Sequence, residues 1–255
     1  MKNIWIICRK ELRSYFVSPI GYILLVTFAV IAGFFFWTIV NGVLQVTMEA
    51  QLEGEPYPMN INEQIIRPLL LNLSVIQLLL IPLITMRLFA EEKRTGTIEL
   101  LATSPITDVE VILGKWLAAV LMYSCMLGTV VLDMLFLFRY GQAAWKPLAV
   151  GCLGMLLQAG GLLAIGTFIS SLTRNQIIAG AVTFGACLLL FVMGWVSAYD
   201  GATWATVLSY LSLNSHFDSF AKGVIDTKDV IYDVTVIFVG LFFTARSMES
   251  LRWRS

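Results

Sequence analysis

The chain is 255 residues long, 58% hydrophobic and only 13% charged, with a formal net charge of zero. An average soluble domain carries about 25% charged and about 45–50% apolar residues; here the apolar excess is gathered into long runs, which points to a membrane protein. No basic face with interleaved aromatics exists, so a nucleic-acid partner is not expected. The four cysteines, Cys8, Cys125, Cys152 and Cys187, share no CxxC spacing and read as small buried hydrophobes rather than a disulfide framework or zinc site.

The first 18 residues predict an interfacial helix. Ile4, Trp5, Cys8, Leu12, Tyr15 and Phe16 recur at helical spacing on one face, and Lys2, Arg9, Lys10 and Arg13 fall largely on the other. Such a basic amphipathic helix lies in the headgroup plane; a plain positively charged flank is the alternative. Ser18-Pro19 breaks it. The first apolar run is of spanning length, follows a charged segment and lacks a small-residue cleavage site, so a cleavable signal peptide is not expected.

About 20 apolar residues cross a bilayer as a helix. Six runs qualify, at approximately 20–40, 68–88, 111–138, 148–172, 177–198 and 230–245, and the last is short enough that its start could lie a few residues earlier. Lys and Arg near span ends favour the cytoplasm. Twelve lie on the side of the N-terminus and five on the other, which predicts cytoplasmic termini, with residues 41–67 and 199–229 outside. The first of these reads as a polar loop. The second holds enough apolar residues for short helices resting on the outer surface. Gly151, Gly154, Gly161, Gly166 and Ser170 in run four, and Gly180, Ala181 and Gly185 in run five, allow close helix packing, within the chain or between copies.

Catalytic chemistry is not legible. There is no Walker A loop to cradle a nucleotide and no HExxH. The single histidine, His216, reads as a plain loop residue. Asp133 reads as the one acid inside a span. An intramembrane acid is a functional candidate by default, here either paired with Arg139 or Lys146 or lining a substrate path.

The central polar stretch, residues 89–107, is unusual. Run two continues as helix through Phe89, Ala90, Glu91 and Glu92, Lys93 and Arg94 follow, and Gly96 permits a sharp turn. Thr97–Ala102 allows one or two helical turns, with Ile98 and Leu101 on one face and Glu99 near the positive N-terminal end. Ser104-Pro105 ends this piece, and Thr107, Asp108, Val109 and Glu110 form a capping box that starts run three. Span, break, short helix, break, span suits docking into a cleft on another protein; a solvated loop is the bland alternative.

"MRLFAEEKRTGTIELLATSPITDVEVILGKWLA" closely resembles the segment after the second span of ABC-2 type permeases. "KELRSYFVSPIGYI", "FISSLTRNQIIAG" and "HFDSFAKGVIDTKDVIY" extend the likeness over nearly the whole chain and resemble the gliding-motility-associated branch most. The resemblance implies an all-α membrane protein: a single six-span domain over 1–255 with an N-terminal amphipathic interfacial helix and a cytoplasmic coupling helix between spans two and three. It implies a non-catalytic subunit without cofactor of its own, a separate ABC ATPase dimer that holds ATP and Mg, and a second permease copy, identical in preference to a related one. An envelope-facing accessory subunit is a further possible partner. The setting is a bacterial inner membrane. Export of a substrate and mechanical transmission without translocation share this architecture; an intramembrane enzyme is opposed by the missing catalytic set.

Overall fold

A computed structural model describes residues 2–54, 60–97, 106–140, 144–198 and 210–252. Among these the regular structure is entirely helical, and six helices are long and apolar enough to cross a bilayer. The protein is therefore an all-α membrane protein. α1 (Lys2–Val17) is followed by α2 (Pro19–Glu53). A π-helical turn (Asn62–Ile66) leads into α3 (Arg67–Thr85), and the short α4 (Ala90–Thr95) follows. Beyond it lie α5 (Asp108–Tyr140), α6 (Trp145–Leu172) and α7 (Gln176–Val192), which runs into a 3-10 turn (Met193–Ala198). α8 (Leu213–Ala221) and α9 (Thr227–Arg252) complete the described chain.

Helix boundaries follow local chemistry. Ser18 is extended and its hydroxyl accepts from the Ile20 N–H, capping α2 with Pro19 at its first position. α2 then runs 35 residues to Gly54, whose φ of 78° ends it in the left-handed conformation. Residues 41–53 are thus helix, not the polar loop expected from composition. Their polar groups fold back on the helix: Asn41 Nδ2 donates to the Trp37 carbonyl at 2.8 Å and Thr47 Oγ1 to that of Val43 at 2.8 Å. Of the expected loop, residues 55–59 lie outside the described residues.

α9 begins three residues earlier than the apolar run because Asp226 Oδ1 accepts from the Lys228 N–H. That moves Asp229 from an expected loop into the sixth helix, and Asp233 already falls within the sixth apolar run, so Asp133 is not the one acid in a span. α8 is a short helix of the kind expected over this stretch, and it packs one face on the bundle. Leu213, His216, Phe217, Phe220 and Ala221 are buried within it, which corrects the reading of His216 as a plain loop histidine.

α6 is the central element, packed against α3, α5, α7, α8 and α9. Its glycines make this possible within one chain. A Cβ on Gly154 would sit 2.4 Å from the Cβ of Phe220 in α8, and one on Gly166 would sit 2.4 Å from Thr85 Oγ1 in α3. In α7, by contrast, nothing lies within 4 Å of such an atom on Gly185. Overpacking a fixed contact costs about 1–3 kcal/mol, occasionally more. Gly166→Val is therefore expected to lower the thermal unfolding midpoint in detergent, whereas Gly185→Ala is expected to leave it unchanged.

The ends of α1, α4, α6 and α9 gather on one face of the bundle. Lys93 of α4 and Ser247 of α9 both donate to the Ser171 carbonyl at the end of α6, the latter at 3.4 Å, and α1 meets α4 through Lys10 and Glu92. The far face carries α8 and the starts of α3, α6 and α9, where Arg67 reaches Asp218 at 2.8 Å and Gly223 packs on Pro147.

Candidate functional site

The end of α3 is where the chain breaks its helical pattern, and the break is heavily braced. The last carbonyls of a helix lack intrahelical partners, and here the loose groups are captured by side chains from three other helices. The Tyr15 hydroxyl of α1 donates to the Ile84 carbonyl at 2.9 Å. Ser170 Oγ of α6 donates to the Met86 carbonyl at 3.3 Å, and accepts from the Phe89 and Ala90 N–H groups at 3.1 and 3.2 Å. Lys115 Nζ of α5 donates to the Leu88 carbonyl at 2.8 Å. The run of residues 86–89 is accordingly a turn and not the continuous helix expected through Glu92. External partners make its open backbone affordable.

Lys115 is the hub. Only 1% of its side chain is exposed, yet its ammonium meets Glu11 at 3.0 Å and Glu92 at 2.9 Å besides the Leu88 carbonyl. Two hydrogen bonds and a second carboxylate at ion-pair distance thus compensate the buried charge. Lys10 lies 3.5 Å from Glu11 and 3.7 Å from Glu92, which balances two acids with two bases. The hub thus ties α1, α4 and α5 together through charge. Arg87 stacks over the Tyr15 ring at 4.2 Å. Burial raises the Tyr15 hydroxyl above its usual range, offset in part by Arg87, so it stays a proton donor.

The expected capping box at the start of α5 is present: the Thr107 N–H donates to Glu110 Oε2 at 3.2 Å and the Glu110 N–H to Thr107 Oγ1 at 3.4 Å. Glu110 also accepts from Asn3 of α1 at 3.2 Å, a second tie between α1 and α5. Gly96, with φ 76°, ends α4 in the left-handed conformation, as its position in the sequence suggests. Between α1, α4 and the start of α5 opens a cleft of about 510 Å³, lined among others by Lys10, Ser14, Arg87, Glu91 and Glu92.

The residues singled out in the sequence separate by role. Glu91, Arg94 and Thr97 point outward, while Glu92 and Lys93 turn inward to Lys115 and the Ser171 carbonyl. Ile98, Glu99 and Leu101 lie outside the described residues. α1 spans nearly the expected residues, but its faces are arranged differently. Ile7, Cys8 and Tyr15 are buried against the protein. Trp5, at 62% exposure, and Ile6 share the open face with Lys2, Arg9, Lys10 and Arg13. The sequence shows two faces of this helix and not which one α5 takes. Asp133 is half-buried on α5, and among the described residues no ion pair joins it to Arg139 or Lys146.

Two further polar groupings went unread in the sequence. In the bundle core Tyr123 donates to Gln77 Oε1 at 2.7 Å, and Gln77 Nε2 to Gln158 Oε1 at 2.6 Å, linking α5, α3 and α6. The signal was available: a lone Gln in each of two apolar runs must find a partner away from lipid. On the far face, His216 is packed between Asp229 and Tyr210.

Helix break, charged hub and six apolar helices describe a multi-pass membrane protein braced at one joint. The family model described as an ABC-2 family transporter protein matches residues 5–245, and the chain belongs to that family. A comparison with curated proteins finds no match. Membership makes the chain the permease component of an ABC transporter, a family of non-catalytic membrane subunits that work with an ABC ATPase.

Proposed function

We propose that the protein couples ATP hydrolysis by a separate cytoplasmic ATPase dimer to export of a substrate, and that residues 89–107 form the coupling element. The observation that carries this reading is the Lys115 hub, which fixes α4 to α1 and α5 at the joint where α3 ends. A displacement of α4 has three stiff routes into the bundle: Lys115 to α5, Glu11 to α1 and Ser170 to α6. Glu91, Arg94 and Thr97 supply the outward polar contacts, Ile98 and Leu101 the apolar anchor, and Glu99 an ion pair with a base in the ATPase cleft. ATP and Mg are held by the ATPase, and two copies of this chain face its two clefts, a homodimer in preference to a related pair.

In this reading both termini and α4 are cytoplasmic in a bacterial inner membrane, because the basic residues favour that face. The open face of α1, with Trp5, Arg9, Lys10 and Arg13, lies among lipid headgroups. The stretch "HFDSFAKGVIDTKDVIY" carries the further likeness to the gliding-motility-associated branch, and an envelope-facing accessory subunit would meet the far face.

Truncating one partner of a buried charge pair costs about 2–5 kcal/mol of binding. Glu99→Ala or Leu101→Asp is expected to leave the permease inserted and folded but to weaken ATPase capture by at least tenfold or to uncouple hydrolysis. Pull-down of the ATPase and activity of the reconstituted complex measure both effects. Normal capture and normal coupled activity in both variants would return the segment to a solvated loop. ATP-driven accumulation of a compound in proteoliposomes separates export from mechanical transmission.

A further inference from the structure

His216 is the single histidine of the chain, and both of its ring nitrogens have a polar partner. Its ring is 5% exposed, stacks on Tyr232 of α9 with centroids 3.9 Å apart at 16°, and meets Tyr210 edge-on at 5.1 Å. Nε2 lies 2.8 Å from the Tyr210 carbonyl. A carbonyl only accepts, so Nε2 carries a hydrogen. Nδ1 lies 2.7 Å from Oδ1 of Asp229, which is itself 1% exposed. A neutral imidazole with its hydrogen on Nε2 presents a lone pair at Nδ1, and a carboxylate also presents only lone pairs. The short contact therefore needs one more proton, carried either by Nδ1 as an imidazolium or by Asp229 as a carboxylic acid. In both forms the pair is neutral overall and binds one proton beyond the free imidazole and carboxylate.

The surroundings leave the carboxylate short of partners. Oδ2 of Asp229 is buried without a hydrogen-bond partner, so a lone negative charge there would be poorly solvated. Asp233, 3% exposed, follows one turn later on the same helix, and any charge on it adds to the penalty. The other titratable groups around the pair are Tyr210, Asp226, Lys228 and Tyr232; Asp226 and Lys228 pair with one another at 3.1 Å. From α3 and within α8, Arg67, Asp218 and Lys222 are likewise paired among themselves. No hydrogen bond or ion pair from α6 or α7 reaches the imidazole among the described residues.

We propose that His216 and Asp229 form a proton-binding site that clasps α8 to the first turn of α9 on the far face of the bundle. The bound proton closes the contact. Its loss sets two lone pairs against each other and leaves a buried charge, and the clasp opens. The site stands apart from the ATPase joint, so its failure leaves the coupling reading untouched.

Because the chain has one histidine, full-length protein labelled with nitrogen-15 histidine in nanodiscs gives two ring signals. At about pH 5, below the range where free imidazole loses its charge, these should report hydrogens on both nitrogens, or on Nε2 alone with an infrared carboxylic-acid band that disappears in Asp229→Asn. A hydrogen on Nδ1 alone, or on Nε2 alone without that band, overturns the proposal. The pH is then raised until the signals show the proton gone. Amide exchange over residues 213–221, corrected for its intrinsic pH dependence, should rise at least tenfold at that point. Exchange that stays level through the loss overturns the clasp. Asn at position 229 donates an N–H that does not titrate, so exchange in Asp229→Asn should stay slow throughout. If that variant does not fold, the wild-type signals and exchange decide the matter alone.

Discussion

Lys115→Met is expected to destabilise the protein by about 3–5 kcal/mol, the usual result of removing one partner from a buried charge cluster. The reason lies in what remains. Glu11 and Glu92 are 14% and 12% exposed at their side chains, and both lose their closest cation. Glu92 Oε2 already lacks a hydrogen-bond partner. The Leu88 carbonyl also loses its donor at a helix break that depends on outside donors. Thermal unfolding in detergent measures the loss, and a midpoint equal to wild type would show that the hub contributes nothing. Adding Glu11→Gln and Glu92→Gln removes the stranded charges, so the triple variant should recover most of the stability. It should not recover coupled ATPase activity if the hub transmits force, because α1, α4 and α5 are then no longer held by charge.

Ser170→Ala is expected to free α4 without unfolding the bundle. One hydroxyl serves three backbone groups, the Phe89 and Ala90 N–H groups and the Met86 carbonyl, all in a buried turn. An orphaned buried group costs about 1–3 kcal/mol, which corresponds to about a ten- to hundredfold rise in amide exchange over residues 89–95. Exchange in the core of α6 should stay slow. Ser170→Thr keeps the hydroxyl and should restore most of the protection; equal exchange in all three proteins would refute the bracing role of this side chain.

The bundle was readable because membrane helices advertise themselves. A run of about 20 apolar residues has few alternatives in lipid. Gly96 and the Thr107–Glu110 box were readable because each acts through its own backbone neighbours. Lys115 was not. It sits among the first residues of an apolar run and looks like an ordinary basic flank, and its partners Glu11 and Glu92 are far away in sequence. The same holds for Ser170, which scanned as one more small residue beside the glycines. The end of α2 was misjudged because residues 41–53 mix polar and apolar side chains, while the helix needs only the lack of a breaker before Gly54. His216 needed two facts at once, the burial of α8 and the early start of α9, and neither shows in composition.

The length of α2 sets where its far end lies. At about 1.5 Å per residue its 35 residues make a rod about 52 Å long, against a hydrocarbon layer of about 30 Å. Its base is pinned where Gly21 lets the helix press on the Tyr15 backbone, since an added Cβ would lie 2.2 Å from the Tyr15 oxygen. Tyr15 is the same residue that holds the Ile84 carbonyl at the helix break. The tip carries exposed Leu44, Met48 and Leu52 at four-residue spacing. One helix thus runs from the residue that braces the helix break to an exposed apolar tip on the far side of the protein, packed on its way against α5, α3 and the π-helical turn.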